Sequence, residues 1–180
     1  KADKDSVTII SVAEFTDSRV MDDKKVIGRV EERDGIKTLV FPKQVKATMA
    51  ISNGIKEYLR KAGYKVPSKI EQWDLNEETI PQGVANILIG GSIDELEISC
   101  RKGFPTNTYT ANMKLTIVFA DMTRGKILYR SKVESSYARE HVWFSENILE
   151  EQADLILANA IEKLFEEKAV MQKLKEAISK

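Results

Sequence analysis

The residues that could carry chemistry are few in this sequence, which has one histidine and one cysteine. A zinc site needs several His, Cys or carboxylate ligands, and His141 has no second His or Cys near it in the sequence. No serine or cysteine stands in a nucleophile signature that would pair with His141. Cys100 lies in an apolar strand pattern, where a lone cysteine usually behaves as a small buried hydrophobic residue. The sequence therefore predicts no catalytic residue, no metal site and no cofactor.

Two short patterns are candidates for contacts with a partner. Asp17 and Arg19 could form a surface ion pair, a pair that fixes a loop, or a binding element. Phe104 and Pro105 are predicted at a hairpin tip, where an apolar pair is exposed and could touch a partner, although scattered exposed apolar residues are common. Gly90-Gly91 follows a strand but lacks the lysine and the helix of a phosphate-binding loop. Asp17, Arg19, Phe104 and Pro105 are therefore the candidate partner contacts.

Length and composition are typical of one globular domain. The chain has 180 residues, of which 42% are hydrophobic and 31% are charged, which suffices for a single core. The formal net charge is zero, which argues against a nucleic-acid surface. No run approaches the roughly 18 apolar residues of a membrane-spanning helix. Residues 1–6 are polar and predicted to be disordered, and the predicted domain spans 1–180.

The elements that must position these residues begin with a strand over 109–120. Its odd positions to 119 are apolar and its even positions to 116 are polar, so one face lies on a core and the other in water. A strand over 126–137 follows a turn. Upstream, the apolar parity reverses near Asp94, which predicts a bulge or bend in a long strand from Val84, with Gly90-Gly91 as a second point that could bend. Three antiparallel strands are therefore predicted in sequence order.

The first half of the chain predicts a crossover. Residues 7–13 are apolar on both parities, as in a strand buried on both faces. A helix is predicted from Pro42, which suits a first turn, to Gly63, with Val45 on its apolar side. The stretch 85–89 is apolar again, so a right-handed crossover makes it a parallel neighbour of 7–13.

Two excursions complete this half. Asp34-Gly35 predicts a hairpin between strands at 26–32 and 37–41, at the edge of the sheet. Residues 67–83 are polar with two prolines and are predicted to form a surface loop, with Trp73 tucked against the edge of the domain.

The end of the chain is predicted to be helical. Ser145 begins an amphipathic helix that breaks near Glu167 or continues into a short helix over 168–180. Trp143 and Phe144, in the connection before it, are expected to anchor the core rather than to stack on a ligand. The predicted fold class is α+β: two layers, with a mixed, mostly antiparallel sheet and two main helices on one of its faces. The other face is expected to be solvated unless a partner covers it.

Three features together resemble a known family. The first is the apolar N-terminal strand followed by Asp17-Ser18-Arg19 and then Ile27-Gly28. The second is the pair of long alternating strands, of which the second ends in Tyr137. The third is the closing helix, with Asn147-Ile148 and residues 161–164 before a short amphipathic end. In these features the chain resembles the YajG-type lipoproteins of Gram-negative bacteria and, more distantly, the auxiliary lipoproteins of ABC-type transport systems.

The resemblance implies a periplasmic domain tethered to the inner or the outer membrane by a lipidated cysteine that would precede Lys1. It implies a non-enzymatic protein of largely uncharacterised role that binds an envelope protein or another envelope component. The alternative is an auxiliary subunit of an ABC-type lipid or solute transport complex, and an enzyme is the third hypothesis. The resemblance assigns no chemistry to Asp17, Arg19 or Gly28. A homo-oligomer stays open, since an exposed edge strand could pair with a second copy.

Overall fold

A mixed seven-stranded sheet is the frame of the computed structural model, which describes residues 7–179. The disorder predicted for residues 1–6 lies outside the described residues. The strands, in chain order, are β1 (Ile10–Val12), β2 (Thr16–Asp17), β3 (Gly28–Glu31), β4 (Lys37–Val40), β5 (Ile87–Arg101), β6 (Asn107–Asp121) and β7 (Lys126–His141). The helices are α1 (Ala47–Lys61), α2 (Glu146–Glu166) and α3 (Lys168–Ile178). This arrangement confirms the predicted α+β class.

Strand β5 is the centre of the sheet. Along one edge it pairs antiparallel with β6, which in turn pairs antiparallel with β7. Along its other edge β1, β2 and β3 follow one another end to end, all parallel to β5. Ile10 lies opposite Ile87, which confirms the predicted parallel neighbours. Strands β3 and β4 form the predicted hairpin, with β4 outermost.

All three helices pack on one face of the sheet, as the two-layer prediction required. Strand residues such as Ile89 and Leu115 and helix residues such as Ile55 and Leu164 belong to one buried cluster. Helix α2 ends at Glu166 because Glu167 is extended, with φ −64° and ψ 116°. The Glu167 carboxylate accepts hydrogen bonds from two β7 side chains, Tyr129 at 2.8 Å and Ser131 at 2.6 Å. Of the two predicted alternatives, the structure therefore shows the break near Glu167.

The parity reversal in β5 is a β-bulge, as predicted: the register with β6 shifts between Ile93 and Glu95. Gly90 and Gly91 serve another purpose, which is close approach. A Cβ on Gly90 would lie 2.7 Å from the Trp73 ring, and one on Gly91 would lie 2.3 Å from the Thr116 carbonyl oxygen. Only glycine therefore lets other groups lie this close to β5.

The predicted start of α1 at Pro42 is wrong. The helix begins at Ala47, and Lys46 before it is extended with ψ 154°. Glu14, from the connection between β1 and β2, sets this start: its carboxylate lies 2.5 Å from Lys46 Nζ and accepts a hydrogen bond from Thr48 at 2.9 Å. Val45 is consequently outside the helix and about half exposed.

The segment 67–83 is more than the predicted surface loop, because it covers part of the second face of the sheet. Trp73 is only 5% exposed and packs with Leu88 and Val118 in a second apolar cluster. The indole N–H donates to the Asn76 carbonyl oxygen at 2.8 Å. The expectation of a wholly solvated second face is therefore wrong at this end of the sheet.

Strand β7 also differs from its prediction. It continues to His141, and the register with β6 shifts between Phe119 and Ala120. Because of this irregularity Ile127 packs with the second cluster, whereas Tyr129 packs with the main core. Ile127 and Tyr129 share one parity in the sequence, which predicts that both side chains lie on the same face.

Candidate functional site

An apolar groove lies between the β3–β4 hairpin and α2. One wall carries Leu39 and Val45, and the opposite wall carries Leu149 and Leu157. Its floor consists of side chains from the sheet and α1: Leu96, Ile98, Met113 and Ile51. The cavity measures about 470 Å³, and ligand pockets in proteins typically measure roughly 300–1,000 Å³. Its size and lining suit an apolar ligand.

Charged groups lie at the rim of this groove and not at its floor. Lys43 Nζ reaches across to α2, where it lies 3.4 Å from Glu146 and 3.7 Å from Glu150. Further along the rim, Lys102 Nζ lies 2.7 Å from Glu32 and 4.4 Å from the centre of the Phe144 ring. Ion pairs at the mouth and hydrocarbon inside suit a ligand with a polar head and an apolar chain.

The late start of α1 creates the outer wall of the groove. Because Lys46 is held extended by Glu14, the segment 41–46 is free of the helix and continues along the hairpin. Phe41 and Val45 on this segment are 48% and 46% exposed. Hydrogen bonds from Lys46 and then from Gln72 hold the pKa of Glu14 below its ordinary value, so the carboxylate stays charged at this anchor.

Asp17 and Arg19 form a largely buried ion pair that fixes the loop before β3. The Arg19 guanidinium lies 2.7 Å from Asp17 Oδ2 and also donates to the carbonyl oxygens of Val26 at 2.8 Å and Lys24 at 2.6 Å. Burial raises the pKa of Asp17, but hydrogen bonds from Arg19 outweigh it and the pKa lies below its ordinary value. Of the three interpretations of this pair, the geometry favours the loop-fixing one. A partner contact through it stays a prediction.

Phe104 and Pro105 lie in the predicted turn between β5 and β6. Phe104 is 87% exposed, and the Arg33 guanidinium lies 5.8 Å from its ring centre. Contact of this pair with a partner likewise stays a prediction.

The residues singled out for chemistry lie apart from the groove. Cys100 is buried as predicted, and burial raises the pKa of its thiol. The His141 ring accepts from the Trp143 backbone N–H at 3.1 Å. Trp143 is 72% exposed, so its expected role as a core anchor is wrong. Within residues 7–179 no three or more His, Cys, Asp or Glu side chains gather as a metal site would require, and no helix there is long and apolar enough to cross a membrane.

Sequence reasoning missed the groove because its walls come from three distant parts of the chain. The signal that could have indicated it is local: Phe41 and Val45 are apolar on either side of Pro42, in a segment where a helix would have needed a cap. No capping side chain stands at Lys46. Without that cap, the start of α1 depends on the tertiary contact with Glu14.

No family model and no curated protein matches this sequence. Solved structures with a similar fold include protein XCC0632 of Xanthomonas campestris, assigned to DUF330, with 9% identity and a TM-score of 0.58 over 93% of this chain and 86% of that chain. A PelC dodecamer from Paraburkholderia phytofirmans matches with 10% identity and a TM-score of 0.47 over 96% and 89%. Lipoprotein GNA1162 of Neisseria meningitidis matches with 14% identity and a TM-score of 0.36 over 87% and 99%.

The similarity to XCC0632 shows a shared fold. The lipoprotein-like class expected from the sequence rests on the resemblance described above. The narrower YajG-type resemblance and a periplasmic location stay predictions.

Proposed function

We propose that this chain is the folded domain of a non-enzymatic bacterial envelope lipoprotein, and that its groove binds the acyl chain of an envelope lipid. The groove is the observation that carries this function. Its interior is hydrocarbon from Leu96, Ile98 and Leu157, and its charges stand at the rim. Burying apolar surface contributes about 25 cal/mol per Å², so an acyl chain gains most where the lining is continuous.

The periplasmic location and the lipid anchor rest on the resemblance to YajG-type lipoproteins. In that setting the domain faces phospholipid membranes, and an acyl chain is the commonest apolar ligand there. The ion pairs of Lys43 and Lys102 lie where the headgroup of a bound lipid would lie. The non-enzymatic assignment rests on the sequence, in which no nucleophile, base and orienting group stand in a known signature.

Binding of a fluorescent long-chain fatty acid to the purified domain tests this proposal. Ala153 lines the groove, so Ala153→Phe fills it and is expected to weaken binding at least ~10-fold, which corresponds to about 1.4 kcal/mol. Ala158 is exposed on the same helix and outside the groove, so Ala158→Phe is the matched control and should bind as the wild type does.

Unlabelled phospholipid should displace the probe from the wild type. Equal binding by the two phenylalanine variants, with both folded by circular dichroism, would contradict the proposed site. Binding that neither variant changes would place the fatty acid elsewhere on the protein.

A second function, that of an auxiliary subunit in an ABC-type transport complex, is favoured by β7. This strand is 16 residues long and among the described residues pairs only with β6, so its outer edge can accept a strand from a partner. A photo-crosslinker at exposed Lys132 should join the domain to a transporter subunit identified by mass spectrometry. Crosslinks only to a second copy of this chain would instead support a homo-oligomer.

A further inference from the structure

Three loops converge at the end of the sheet where β5 finishes and β6 begins. Strand β3 runs parallel to β5, so the turn 32–36 reaches the same end as the turn 102–106. Strand β7 finishes with His141 opposite Asn107, which brings the connection 142–145 to this end as well. These three loops are called the tip.

Hydrogen bonds hold the parts of the tip in fixed positions relative to one another. They join Arg33 Nη2 to the Gly103 carbonyl oxygen at 3.0 Å, Asn107 Nδ2 to the Val142 carbonyl oxygen at 3.3 Å, and Tyr109 Oη to the Trp143 carbonyl oxygen at 2.8 Å. Tyr109 is fully buried and also accepts from the Ser145 N–H at 3.0 Å. Trp143 is therefore presented to solvent by an ordered backbone.

Each loop of the tip exposes a large apolar side chain. Phe104 is 87% exposed, Trp143 is 72%, Ile36 is 62% and Val142 is 60%. Single exposed apolar residues are ordinary, but a group of them at one end of a domain marks an interaction surface. Trp143 belongs to a residue type enriched where protein meets the polar headgroups of a membrane, and Phe104 adds a second exposed ring.

Basic side chains stand beside these aromatic rings. The Arg33 guanidinium lies 5.8 Å from the centre of the Phe104 ring, and Lys102 Nζ lies 4.4 Å from the centre of the Phe144 ring. Lys102 pairs with Glu32 at 2.7 Å, so these two charges offset each other, and the Asp34 carboxylate accepts from the Ile36 N–H at 3.1 Å. Glu140 on β7 is a further exposed carboxylate near this end, and Arg101 on β5 is a further exposed basic group.

We propose that the tip docks on the surface of an anionic phospholipid bilayer, with Phe104 and Trp143 among the headgroups and Arg33 beside the lipid phosphates. The Trp143 indole, with an apolar body and a polar N–H, suits this depth, and Phe104 adds apolar surface of the kind that interfacial helices bury there. Each Lys or Arg near an anionic membrane surface contributes about 1 kcal/mol. Docking therefore depends on both the apolar and the basic groups of the tip.

The groove gives the reason to choose a bilayer over a protein as the partner, and this step rests on the proposed function. Glu32, Lys102 and Phe144 line the groove and also an adjoining cavity of about 550 Å³ at the tip. An acyl chain that leaves a bilayer at the tip thus meets the mouth of the groove directly.

Flotation of the full chain with vesicles tests the proposal. The wild type should float with vesicles of phosphatidylcholine and phosphatidylglycerol in equal amounts, and more weakly with phosphatidylcholine alone. Phe104→Ser combined with Trp143→Ser should lower the bound fraction roughly 10-fold or more, because both apolar anchors are lost. Val20 and Val84 are exposed apolar residues in other loops, so Val20→Ser combined with Val84→Ser is the matched control and should float as the wild type does.

Tryptophan emission supplies a second readout. Trp143 emission should shift to shorter wavelength with vesicles and be quenched by brominated lipid, while Trp143→Phe should still float but lose the quenching, since Trp73 is buried. The proposal is overturned if the wild type does not float, or if the serine pair at the tip floats as well as its control. It is also overturned if the tip pair instead converts a wild-type oligomer into a monomer in solution, since the partner is then a protein.

Fatty-acid binding by the groove and vesicle binding by the tip can be abolished separately. Ala153→Phe should lose the fatty acid and keep vesicle flotation, whereas the serine pair at the tip should lose flotation and still bind fatty acid added from solution. If the serine pair also loses the fatty acid added from solution, the two surfaces are one site and the separate docking role is wrong.

Discussion

The two tryptophans of this protein lie at opposite ends of the sheet, in opposite environments. Trp73 is 5% exposed and lies in the segment 67–83, from which it packs on Gly90 of β5. Trp143 is 72% exposed on the connection after β7. At the first end, called the closed end, the segment 67–83 covers the sheet. At the other, called the open end, apolar side chains are exposed to water.

The difference separates an end closed by packing from an end whose apolar side chains are free for the proposed docking. At the closed end a buried lysine, Lys56, donates to the Ser68 carbonyl oxygen at 2.8 Å, and Glu14 accepts from Gln72 at 3.0 Å, so polar anchors hold the covering segment. At the open end the backbone is equally anchored, through Tyr109 and Asn107, yet the side chains of Phe104 and Trp143 stay uncovered. An ordered backbone whose apolar side chains stay uncovered is what a preformed interaction surface requires.

Replacement of each tryptophan by alanine should separate the two ends most strongly. Trp73→Ala leaves a cavity in the second cluster and is expected to lower the free energy of unfolding by about 3–5 kcal/mol. Trp143→Ala should change it by less than ~0.5 kcal/mol, because the side chain is in water. Urea denaturation followed by circular dichroism measures both, and equal losses would contradict the comparison.

Replacement of Gly90 by alanine should disturb the packing at the closed end and leave the open end unchanged. The new Cβ would lie 2.7 Å from the Trp73 ring and 3.0 Å from Leu75, so Gly90→Ala should cost about 1–3 kcal/mol through overpacking. Gly83 offers a control, because a Cβ there meets only Met122 at an ordinary 3.4 Å. Loss of stability in both alanine variants to the same degree would show that the close packing of Trp73 on β5 is not the cause.

Low pH should destabilise the protein through Glu14, which helps to hold the segment 67–83 at the closed end. Its pKa is lowered in the folded state from an ordinary 4.5, so its contribution to stability is fully present above that value and is lost as the pH falls through the folded pKa. Glu14→Gln should cost roughly 1–2 kcal/mol at neutral pH, since hydrogen bonds to a charged group are lost, and should flatten the acid side of the stability profile. A profile of unchanged slope between neutral pH and pH ~3 would exclude Glu14 as a source.

Loss of a charge at the rim of the groove should have the smallest effect on stability. Lys43 and its partners Glu146 and Glu150 are all more than half exposed, so Lys43→Met is expected to change stability by less than ~0.5 kcal/mol. The same denaturation experiment measures it, and a loss above ~1 kcal/mol would mean that the ion pairs fix the groove wall.

The sheet was predictable because its signals are local. Alternation from Tyr109 to Phe119 indicates one buried face, and the parity reversal at Asp94 indicates the bulge, since an inserted residue turns every later side chain over. Asp34-Gly35 is likewise sufficient to predict the hairpin turn. These features depend on neighbours along the chain or one strand away.

What could not be predicted depends on distant contacts. The start of α1 is set by Glu14 from another connection, and the burial of Trp73 requires the missing side chain of Gly90 on β5. The exposure of Trp143 follows from the anchoring of its carbonyl by Tyr109, which no periodicity reveals. The groove likewise depends on distant contacts, because its walls are assembled from segments far apart in the sequence.

Methyl NMR of the domain on addition of a long-chain fatty acid tests the central claim most directly. If the groove holds the acyl chain, the methyl resonances of Leu39, Leu149 and Leu157 shift together, and those of Leu88 and Val118 in the second cluster do not. Saturable shifts confined to the second cluster, or no shifts at all, would contradict the account.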